Sequence, residues 1–313
     1  MNSVDVSFDS MGGTARVQLE SGLHTRAELE QASDRARARL EVVEATLSRF
    51  RPDSELSMLN RDPRTVVPAS PLMRALVRAS RFAGLASGGL VDVTLVDQVE
   101  DAGYRATRAG AVPASLDDAL AAAPPRRPAR ARTSGDRSSL SVDPRGCVSR
   151  PPDLRIDSGG IGKGMAADIA AAELPAGVSY AISCGGDLAA GGRLWEIVVT
   201  SARTGAPVHT VGLRGGGVAT SGIHSNLWRR PDGSYAHHLI DPSTGLPAWT
   251  GIVAATAVGG SAVDAEVLAK AALLSGPEAG RRLLRRRGGV LQYDDGMVEI
   301  VPALMAQRLT VAA

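Results

Sequence analysis

A glycine-rich loop with a single lysine lies near the middle of the chain, at residues 155–168, and reads R-I-D-S-G-G-I-G-K-G-M-A-A-D. The pattern is typical of a strand end, a loop and the first turns of an alanine-rich helix. Glycines let the backbone approach a ligand closely, and the free N–H groups at a helix start favour anions. Lys163 adds a point charge suited to phosphate. The loop therefore predicts an anion-binding site, with a tight turn that simply requires glycine as the alternative.

The spacing of this loop excludes two common nucleotide motifs. A P-loop has Ser or Thr directly after its lysine, whereas Lys163 is followed by Gly164. The dinucleotide-binding pattern G-x-G-x-x-G needs a third glycine, and the position that would carry it after Gly162 and Gly164 is Ala167. A nucleotide site at this loop must therefore belong to another class.

Three more glycine-bearing motifs follow at strand-like boundaries. They are S-C-G-G-D at 183–187, G-V-A-T-S-G at 217–222 and H-L-I-D-P-S-T-G at 238–245. Three others precede the loop: M-G-G-T at 11–14, S-E-L-S-M-L-N at 54–60 and G-G-L-V-D-V-T at 88–94. In this order the motifs resemble those of the ApbE family, the FAD:protein FMN transferases, from about residue 8 to about residue 276.

The resemblance implies a fold class and an activity. The implied fold is α+β, an ApbE-like (T-fold-like) single large domain over residues 1–313, with mixed and mainly antiparallel sheets packed against helices. The implied activity is cleavage of the FAD pyrophosphate and transfer of FMN to a Thr or Ser hydroxyl of a flavoprotein, with release of AMP. Two alternatives stay open: a homologue that binds and carries FAD without modifying a protein, or a related enzyme repurposed for another small-molecule reaction.

The resemblance also assigns candidate site residues. His238 is the candidate base for the incoming hydroxyl, with a purely structural histidine as the alternative. Lys163 and Lys270 are the candidates for neutralising phosphate charge. The residues predicted to bind FAD are Ser54, Glu55, Met58, Asp92, Thr94, Asp157, Gly159, Gly160, Lys163, Met165, Asp168, Gly185, Gly186, Asp187, Thr220, Ser221, Gly222, His238, Ile240 and Asp241.

The helix predicted at about 264–275 departs from the family at its metal site. In the family an aspartate and a threonine, four residues apart, bind Mg²⁺ with a loop carbonyl, and Glu266 and Lys270 stand at those positions here. A charged lysine has no acceptor atom and cannot ligate a cation. In one interpretation Lys270 replaces the metal; in another, Mg²⁺ binds displaced, through Asp264 or Glu266 and the carbonyl of Gly162. In a third, Glu266 and Lys270 form an ordinary i,i+4 pair and Asp264 caps the helix.

The aromatic positions of the family are also changed. Met165 stands where K-G-Y-A has tyrosine, and Val91 and Val93 replace the phenylalanine and proline of F-D-P-T. Methionine packs against ring systems in a more adaptable way than an aromatic side chain. We therefore expect a looser flavin contact at Met165.

Composition limits the class of protein. The chain is 44% hydrophobic but only 3% aromatic, so its core must be built from Ala, Val, Leu and Ile. A net charge of +2 does not give the basic footprint that nucleic-acid binding needs. No apolar run reaches the roughly 18 residues that predict a membrane span. Residues 1–6 lack the charged and apolar regions of a signal peptide.

The remaining expectations concern compartment and partners. The two cysteines, Cys147 and Cys184, do not make a disulfide framework and are expected to be reduced. We therefore predict a cytoplasmic monomer or homodimer. Its predicted partners are FAD and an FMN-accepting flavoprotein domain, with no nucleic acid and no membrane insertion.

Local patterns predict the main elements. Periodicity and alternation indicate helices at 26–49 and 72–86, strands at 15–19, 195–200 and 251–258, and a terminal hairpin of 290–293 with 298–301. Residues at about 105–138 are rich in Ala, Arg and Pro and are predicted to form a variable surface excursion. Strands and helices mix without strict alternation, which favours α+β.

Overall fold

Fifteen strands and eight helices make up the part of the chain that a computed structural model describes, residues 1–108, 110–132 and 139–304. The strands are Asn2–Ser10 (β1), Gly13–Ser21 (β2), Val66–Pro68 (β3), Ser141–Val142 (β4), Cys147–Ser149 (β5), Ser179–Cys184 (β6), Asp187–Gly191 (β7), Trp195–Thr200 (β8), Pro207–Leu213 (β9), Gly216–Gly222 (β10), Leu227–Arg229 (β11), Tyr235–His237 (β12), Ile252–Gly259 (β13), Gly289–Tyr293 (β14) and Val298–Val301 (β15). The helices are Arg26–Leu47 (α1), Glu55–Arg61 (α2), Pro71–Ala86 (α3), Val96–Asp101 (α4), Leu116–Ala122 (α5), Gly162–Ala171 (α6), Ala262–Leu274 (α7) and Gly276–Leu284 (α8).

One large antiparallel sheet organises these elements. Its eight strands lie in the order β1-β2-β6-β7-β10-β13-β14-β15. Three small sheets accompany it: β3-β5-β4, the hairpin β8-β9 and the hairpin β11-β12. This mixture of helices with antiparallel sheet confirms the predicted α+β class.

The two faces of the large sheet are covered by different elements. Because side chains alternate along a strand, Ile182 and Leu291 lie in the cores under the helices, whereas Ala181 and Val290 pack against the β8-β9 hairpin. Helices α1 and α6 cover the β1-β2-β6-β7 half of the sheet, and α7 and α8 cover β10, β13 and β14. The starts of α6 and α7 therefore meet over the middle of the sheet.

Helix boundaries follow from local capping signals. Thr25 accepts a hydrogen bond from the backbone N–H of Glu28, whose carboxylate accepts in return from the N–H of Thr25, so a capping box begins α1. Ser70 caps α3, with Pro71 in its first turn. The buried face of α1 carries Leu29, Leu40 and other residues at helical spacing.

Most of the predicted elements are confirmed. Helices α1, α3 and α7, strands β2, β8 and β13, and the terminal hairpin β14-β15 match the predicted segments. The predicted surface excursion is anchored where it is described: α5 lies within it, Arg127 N–H donates to the carbonyl of Trp249, and Ala129 N–H donates to that of Leu274. Its residues 109 and 133–138 lie outside the described ranges.

None of the helices in residues 1–108, 110–132 and 139–304 combines the length and apolarity that crossing a bilayer requires.

Candidate active site at the starts of two helices

The glycine loop before α6 is fixed by contacts from distant parts of the chain. Asn60 holds its entry, because its side chain exchanges two 2.9 Å hydrogen bonds with the backbone of Ile156. Ser158 Oγ donates to the carbonyl of Leu47 at 2.7 Å. Asp157 Oδ1 accepts from the N–H of Gly159 at 3.0 Å. Asp157 and Gly159, both predicted to bind FAD, thus shape the loop from within.

Lys163 projects from the first turn of α6 towards Asp187. The Nζ–Oδ2 distance is 2.9 Å, with the Asp187 side chain only 2% exposed and the Lys163 side chain 32% exposed. Asp187 follows a two-residue hairpin turn, Gly185-Gly186, whose φ values of 57° and 95° favour glycine. A methyl group on Gly185 would lie 3.1 Å from Cδ of Lys163, so the lysine stem passes over this turn.

Lys270 projects from α7 towards the same loop. Its Nζ donates to the carbonyl oxygen of Gly160 at 2.5 Å and lies 3.6 Å from Oε1 of Glu266. Oε2 of Glu266 accepts from the N–H of Gly164 at 2.9 Å. The loop carbonyl that Lys270 contacts belongs to Gly160, and the metal contact predicted for the carbonyl of Gly162 remains a prediction.

Charged neighbours shift the pKa values of Lys163 and Glu266. Burial alone lowers the pKa of Lys163, but the carboxylates of Asp187 and Glu266 outweigh it and raise that pKa above its ordinary value. Burial and then the charge of Asp187 raise the pKa of Glu266, against the opposing effects of Lys270 and Lys163. The Lys163 ammonium therefore stays charged at neutral pH beside two buried carboxyl groups.

Two neighbouring residues respond to this cluster. Burial, then the His237 ring and the charges of Lys270 and Lys163, hold the pKa of His238 well below its ordinary value. His238 is therefore neutral at physiological pH and able to accept a proton. Burial, reinforced by Asp187, raises the pKa of the Cys184 thiol to about 12, so this cysteine is an unreactive core residue.

Two predicted site carboxylates, Asp168 and Asp264, accept hydrogen bonds at the start of α7. Both oxygens of Asp168 accept hydrogen bonds from the first turn of α7, from Ala262 N–H at 2.8 Å and Val263 N–H at 3.0 Å. Oδ2 of Asp264 accepts from the N–H of Gly260 at 2.8 Å. Asp168 is therefore a cap that α6 supplies to α7, and Asp264 belongs to the N-terminal capping of its own helix.

The motif S-E-L-S-M-L-N also proves to be mainly structural. Ser54 is the N-cap of α2 and donates to the carbonyl of Ser48. Glu55 Oε1 accepts from the N–H of Ser70 at the start of α3. Met58 is 52% exposed and is the one of these three predicted residues that stays available to a ligand.

Two further predicted pairs stabilise turns. Asp92 Oδ1 accepts from both the N–H and the hydroxyl of Thr94. Asp241 Oδ1 accepts from Arg130 N–H and from Ser243, while Ile240 is 4% exposed in a small core. These contacts hold the loops around the site, and the cofactor contacts predicted for these residues remain predictions.

Strand alternation separates Thr220 from Ser221. Thr220 Oγ1 lies 2.8 Å from Oγ1 of Thr256, on the sheet face that Val218 shares with the β8-β9 hairpin. Ser221 points to the opposite face, where α7 packs. A ligand on one face of the sheet can therefore contact only one of the two side chains, and the FAD contacts predicted for them remain predictions. Gly222 is needed for another reason, because a methyl group there would lie 2.6 Å from the His224 ring.

The flavin contact expected of Met165 remains a prediction, and its side chain packs in the core. Met165 is only 5% exposed and belongs to the core between α1, α6 and the sheet. Its side chain is therefore committed to packing within the protein.

Arg49 and Tyr104 lie at the site and were missed by the sequence reasoning. Arg49 Nε is 3.3 Å from Oδ2 of Asp157, and its guanidinium lies 5.6 Å from the centre of the Tyr104 ring. Burial raises the pKa of the Tyr104 hydroxyl, and the charges of Asp157, Arg49 and Lys163 also act on it, in keeping with a position beside the site. Tyr104 directly precedes the segment read as an excursion, and Arg49 lies at the end of a periodic helix, so neither carried a local signal.

The geometry defines an α+β protein with two lysines, a neutral histidine and a glycine loop at a helix start, an arrangement suited to an anionic ligand. The chain belongs to the ApbE family, whose model matches residues 11–293. Its relatives include proteins called FAD:protein FMN transferase from Klebsiella pneumoniae, 28% identical over 89% of this chain and 80% of that protein, and from Treponema pallidum, 31% identical over 90% and 81%. The crystal structure of the ApbE protein from Thermotoga maritima superimposes with a TM-score of 0.78 at 21% identity, covering 98% of this chain and 99% of that one.

Proposed function

We propose that this protein is an FAD:protein FMN transferase. The observation that carries the proposal is the convergence of Lys163 and Lys270 on one glycine loop, with Glu266 and His238 under the influence of both ammonium charges. The names of the relatives support it, and so does the match of the family model to most of the chain. Two cations beside a helix start suit the pyrophosphate of FAD.

In the proposed reaction a Ser or Thr hydroxyl of the acceptor protein attacks the phosphorus on the FMN side of the pyrophosphate. A new phosphoester bond forms, the bond to the bridging oxygen breaks, and AMP leaves. His238 takes the proton of the attacking hydroxyl. Lys163 and Lys270 offset the charge that develops on the phosphate oxygens.

The site around this chemistry is proposed to use five of the predicted residues, of which Ser221 is buried and the other four are partly or fully exposed. Lys163, Gly159 and Gly160 would face the phosphates at the start of α6, and Ser221 and Met58 would contact other parts of FAD. The acceptor is proposed to be a flavoprotein domain with a reactive Thr or Ser. We place the protein in the cytoplasm, because Cys147 and Cys184 are both unpaired and disulfides are rare there. We propose that it is a monomer or a homodimer.

A flavin carrier is the second candidate function. It is favoured by Glu266 and Lys270 standing where the family has its metal-binding pair, because a site without a divalent cation offsets less of the charge that develops when the pyrophosphate is cleaved. A carrier would bind FAD and release it intact.

One experiment separates the two functions. The purified protein is incubated with FAD and an acceptor peptide carrying an S/T-G-A-x-T-like motif, and AMP release and covalent flavin on the peptide are measured by chromatography and mass spectrometry. We expect both products from the wild type and at least about a hundredfold slower formation by Lys163→Met or His238→Asn. FAD recovered intact after tight binding would point to a carrier, and absence of binding would contradict both functions.

A further inference from the structure

Lys270 occupies the centre of the junction between the glycine loop and α7. Its ammonium contacts the carbonyl oxygen of Gly160 at 2.5 Å and lies 3.6 Å from Glu266, and its side chain is only 11% exposed. Glu266 is 2% exposed and is itself fixed by the N–H of Gly164. An oxygen from a loop carbonyl and an oxygen from a carboxylate thus already share one enclosed cation.

The donor atoms around this point do not fit Mg²⁺. A magnesium ion demands oxygen ligands in near-octahedral geometry, whereas Lys270 offers only N–H donors and a positive charge. The neighbouring carboxylates are engaged elsewhere, Asp187 with Lys163 and Asp264 with the N–H of Gly260. Within residues 1–108, 110–132 and 139–304 no three His, Cys, Asp or Glu side chains are grouped to hold a metal.

The use of lysine in this chain is itself informative. Of its 35 Lys and Arg residues only two are lysines, and these are Lys163 and Lys270. Everywhere else the chain places its cations on the broad, planar guanidinium of arginine. A compact ammonium, like a metal ion, concentrates its positive charge at one point. The chain therefore has lysine at only two positions: Lys163 lies at the end of the glycine loop, and Lys270 contacts that loop from α7.

We propose that the Lys270 ammonium takes the place of the divalent cation, so that this protein engages the FAD pyrophosphate without a metal. That the ligand is FAD rests on the proposed function. The position of the Lys270 ammonium does not, because it follows from the contact with Gly160. A carboxylate with an ammonium carries one positive charge less than a carboxylate with a divalent cation. Lys163 is then the second source of positive charge that the pyrophosphate meets.

The scarcity of lysine allows a direct test on the wild-type protein. With ¹⁵N-lysine labelling, the chain gives only two Nζ resonances, which Lys163→Arg and Lys270→Thr assign. We expect FAD to shift both resonances equally in EDTA and in Mg²⁺, and equimolar Mn²⁺ to leave the Lys270 resonance sharp. Broadening of that resonance by equimolar Mn²⁺, or an FAD shift that requires Mg²⁺, would overturn the proposal.

The two parts of the argument fail in different ways. If FAD shifted neither resonance, the proposed function and the pyrophosphate contact would both be contradicted. The Mn²⁺ measurement would still show whether the Lys270 ammonium or a divalent metal ion occupies the cation position. A gain-of-metal variant gives an independent readout by Mn²⁺ electron paramagnetic resonance. We expect Glu266→Asp with Lys270→Thr to bind Mn²⁺ at least tenfold more tightly than the wild type, and Lys270→Met, which removes the charge without adding an oxygen, to show no such gain. Equal Mn²⁺ binding by the wild type and the double variant would also overturn the proposal.

Discussion

Asp168 and Glu266 cap each other's helices. Asp168, on α6, accepts from the first N–H groups of α7, and Glu266, on α7, accepts from the N–H of Gly164 in the first turn of α6. The exchange fixes the two helix starts side by side. Lys163 lies in the first turn of α6, and Lys270 of α7 contacts the carbonyl of Gly160 just before that turn. The site is thus held by carboxylates whose own role is to satisfy helix N–H groups.

Removing one half of this exchange is expected to cost stability and leave FAD affinity nearly unchanged. Asp168→Ala leaves two N–H groups of α7 without their acceptor, which lowers the free energy of unfolding by about 0.5–2 kcal/mol. Asp168→Asn keeps one acceptor and should fall between this variant and the wild type. Urea unfolding and FAD titration measure the two effects. A large loss of FAD affinity with unchanged stability would restore the cofactor role predicted for Asp168.

Gly164 is expected to tolerate no side chain. A Cβ there would lie 2.6 Å from the carbonyl oxygen of Ala262, a backbone atom that moves only with α7. Gly164→Ala should therefore destabilise the protein by about 1–3 kcal/mol, as overpacking does. Gly22→Ala is the control, because a Cβ at Gly22 meets no atom within 4 Å. Equal urea midpoints for the two variants would show that the helices do not meet as described.

The candidate base His238 predicts a shifted pH profile. Burial and nearby positive charge lower the pKa of His238 below the ordinary 6.5, and a base must be deprotonated to act. The acid limb of kcat/KM for AMP release is therefore expected below pH 6.5 rather than at it. The His238→Asn variant should be slow throughout and lack this limb. A wild-type limb at or above pH 6.5 would exclude His238 as the base.

His237 predicts that the protein loses stability in acid. Its ring is fully buried, and burial lowers its pKa from 6.5 to about 3. Between these values the unfolded chain binds a proton that the folded chain does not. The free energy of unfolding should therefore fall as pH decreases through this window, by up to about 1.4 kcal/mol per pH unit from this group.

The contribution of His237 is isolated by comparison with a variant. His237→Asn keeps an acceptor for the N–H of Leu239, which Nδ1 accepts at 3.3 Å in the wild type, but cannot titrate. Urea unfolding at several pH values between 4 and 7 should give a shallower dependence for the variant. If the free energy of unfolding of the wild type and the variant changed with pH in the same way, His237 would have the same pKa in the folded and the unfolded chain, which would contradict the prediction.

The opposite directions of Thr220 and Ser221 give the last prediction. Ser221→Ala should weaken FAD binding, whereas Thr220→Val should leave it unchanged and cost about 1 kcal/mol of stability, because Thr256 loses its hydroxyl partner. Fluorescence titration with FAD distinguishes the two variants. Weaker binding by Thr220→Val alone would place the ligand on the hairpin face of the sheet.

The fold was largely predictable because its longest elements carry clear periodicity, as α1 and the terminal hairpin do. The position of the site was also predictable, since Lys163 follows a glycine loop at a helix start. The partners of the site residues were not, because they are distant in sequence: Glu266 meets Gly164 from 102 residues away, and Asp168 meets Ala262 from 94. Local sequence patterns do not reveal contacts between residues that lie so far apart in the chain.

Thr220 and Met165 illustrate one physical reason why ligand contacts are hard to predict from sequence. Strand β10 is buried on both faces over most of its length, so alternation of hydrophobic and polar residues does not reveal which face holds the ligand. Helix α6 is likewise buried around most of its first turns. A residue of such an element can be assigned to a ligand or to the core only after the neighbouring elements are placed.

The near-absence of lysine outside the site has a practical consequence. A reagent selective for side-chain amines meets only Lys163, one third exposed, and Lys270, 11% exposed. Any lysine that is acylated in this protein therefore lies at the site, and a ligand bound at the glycine loop is expected to slow that acylation. For the same reason, attaching the protein to a surface through its lysines would block the region whose binding was to be measured.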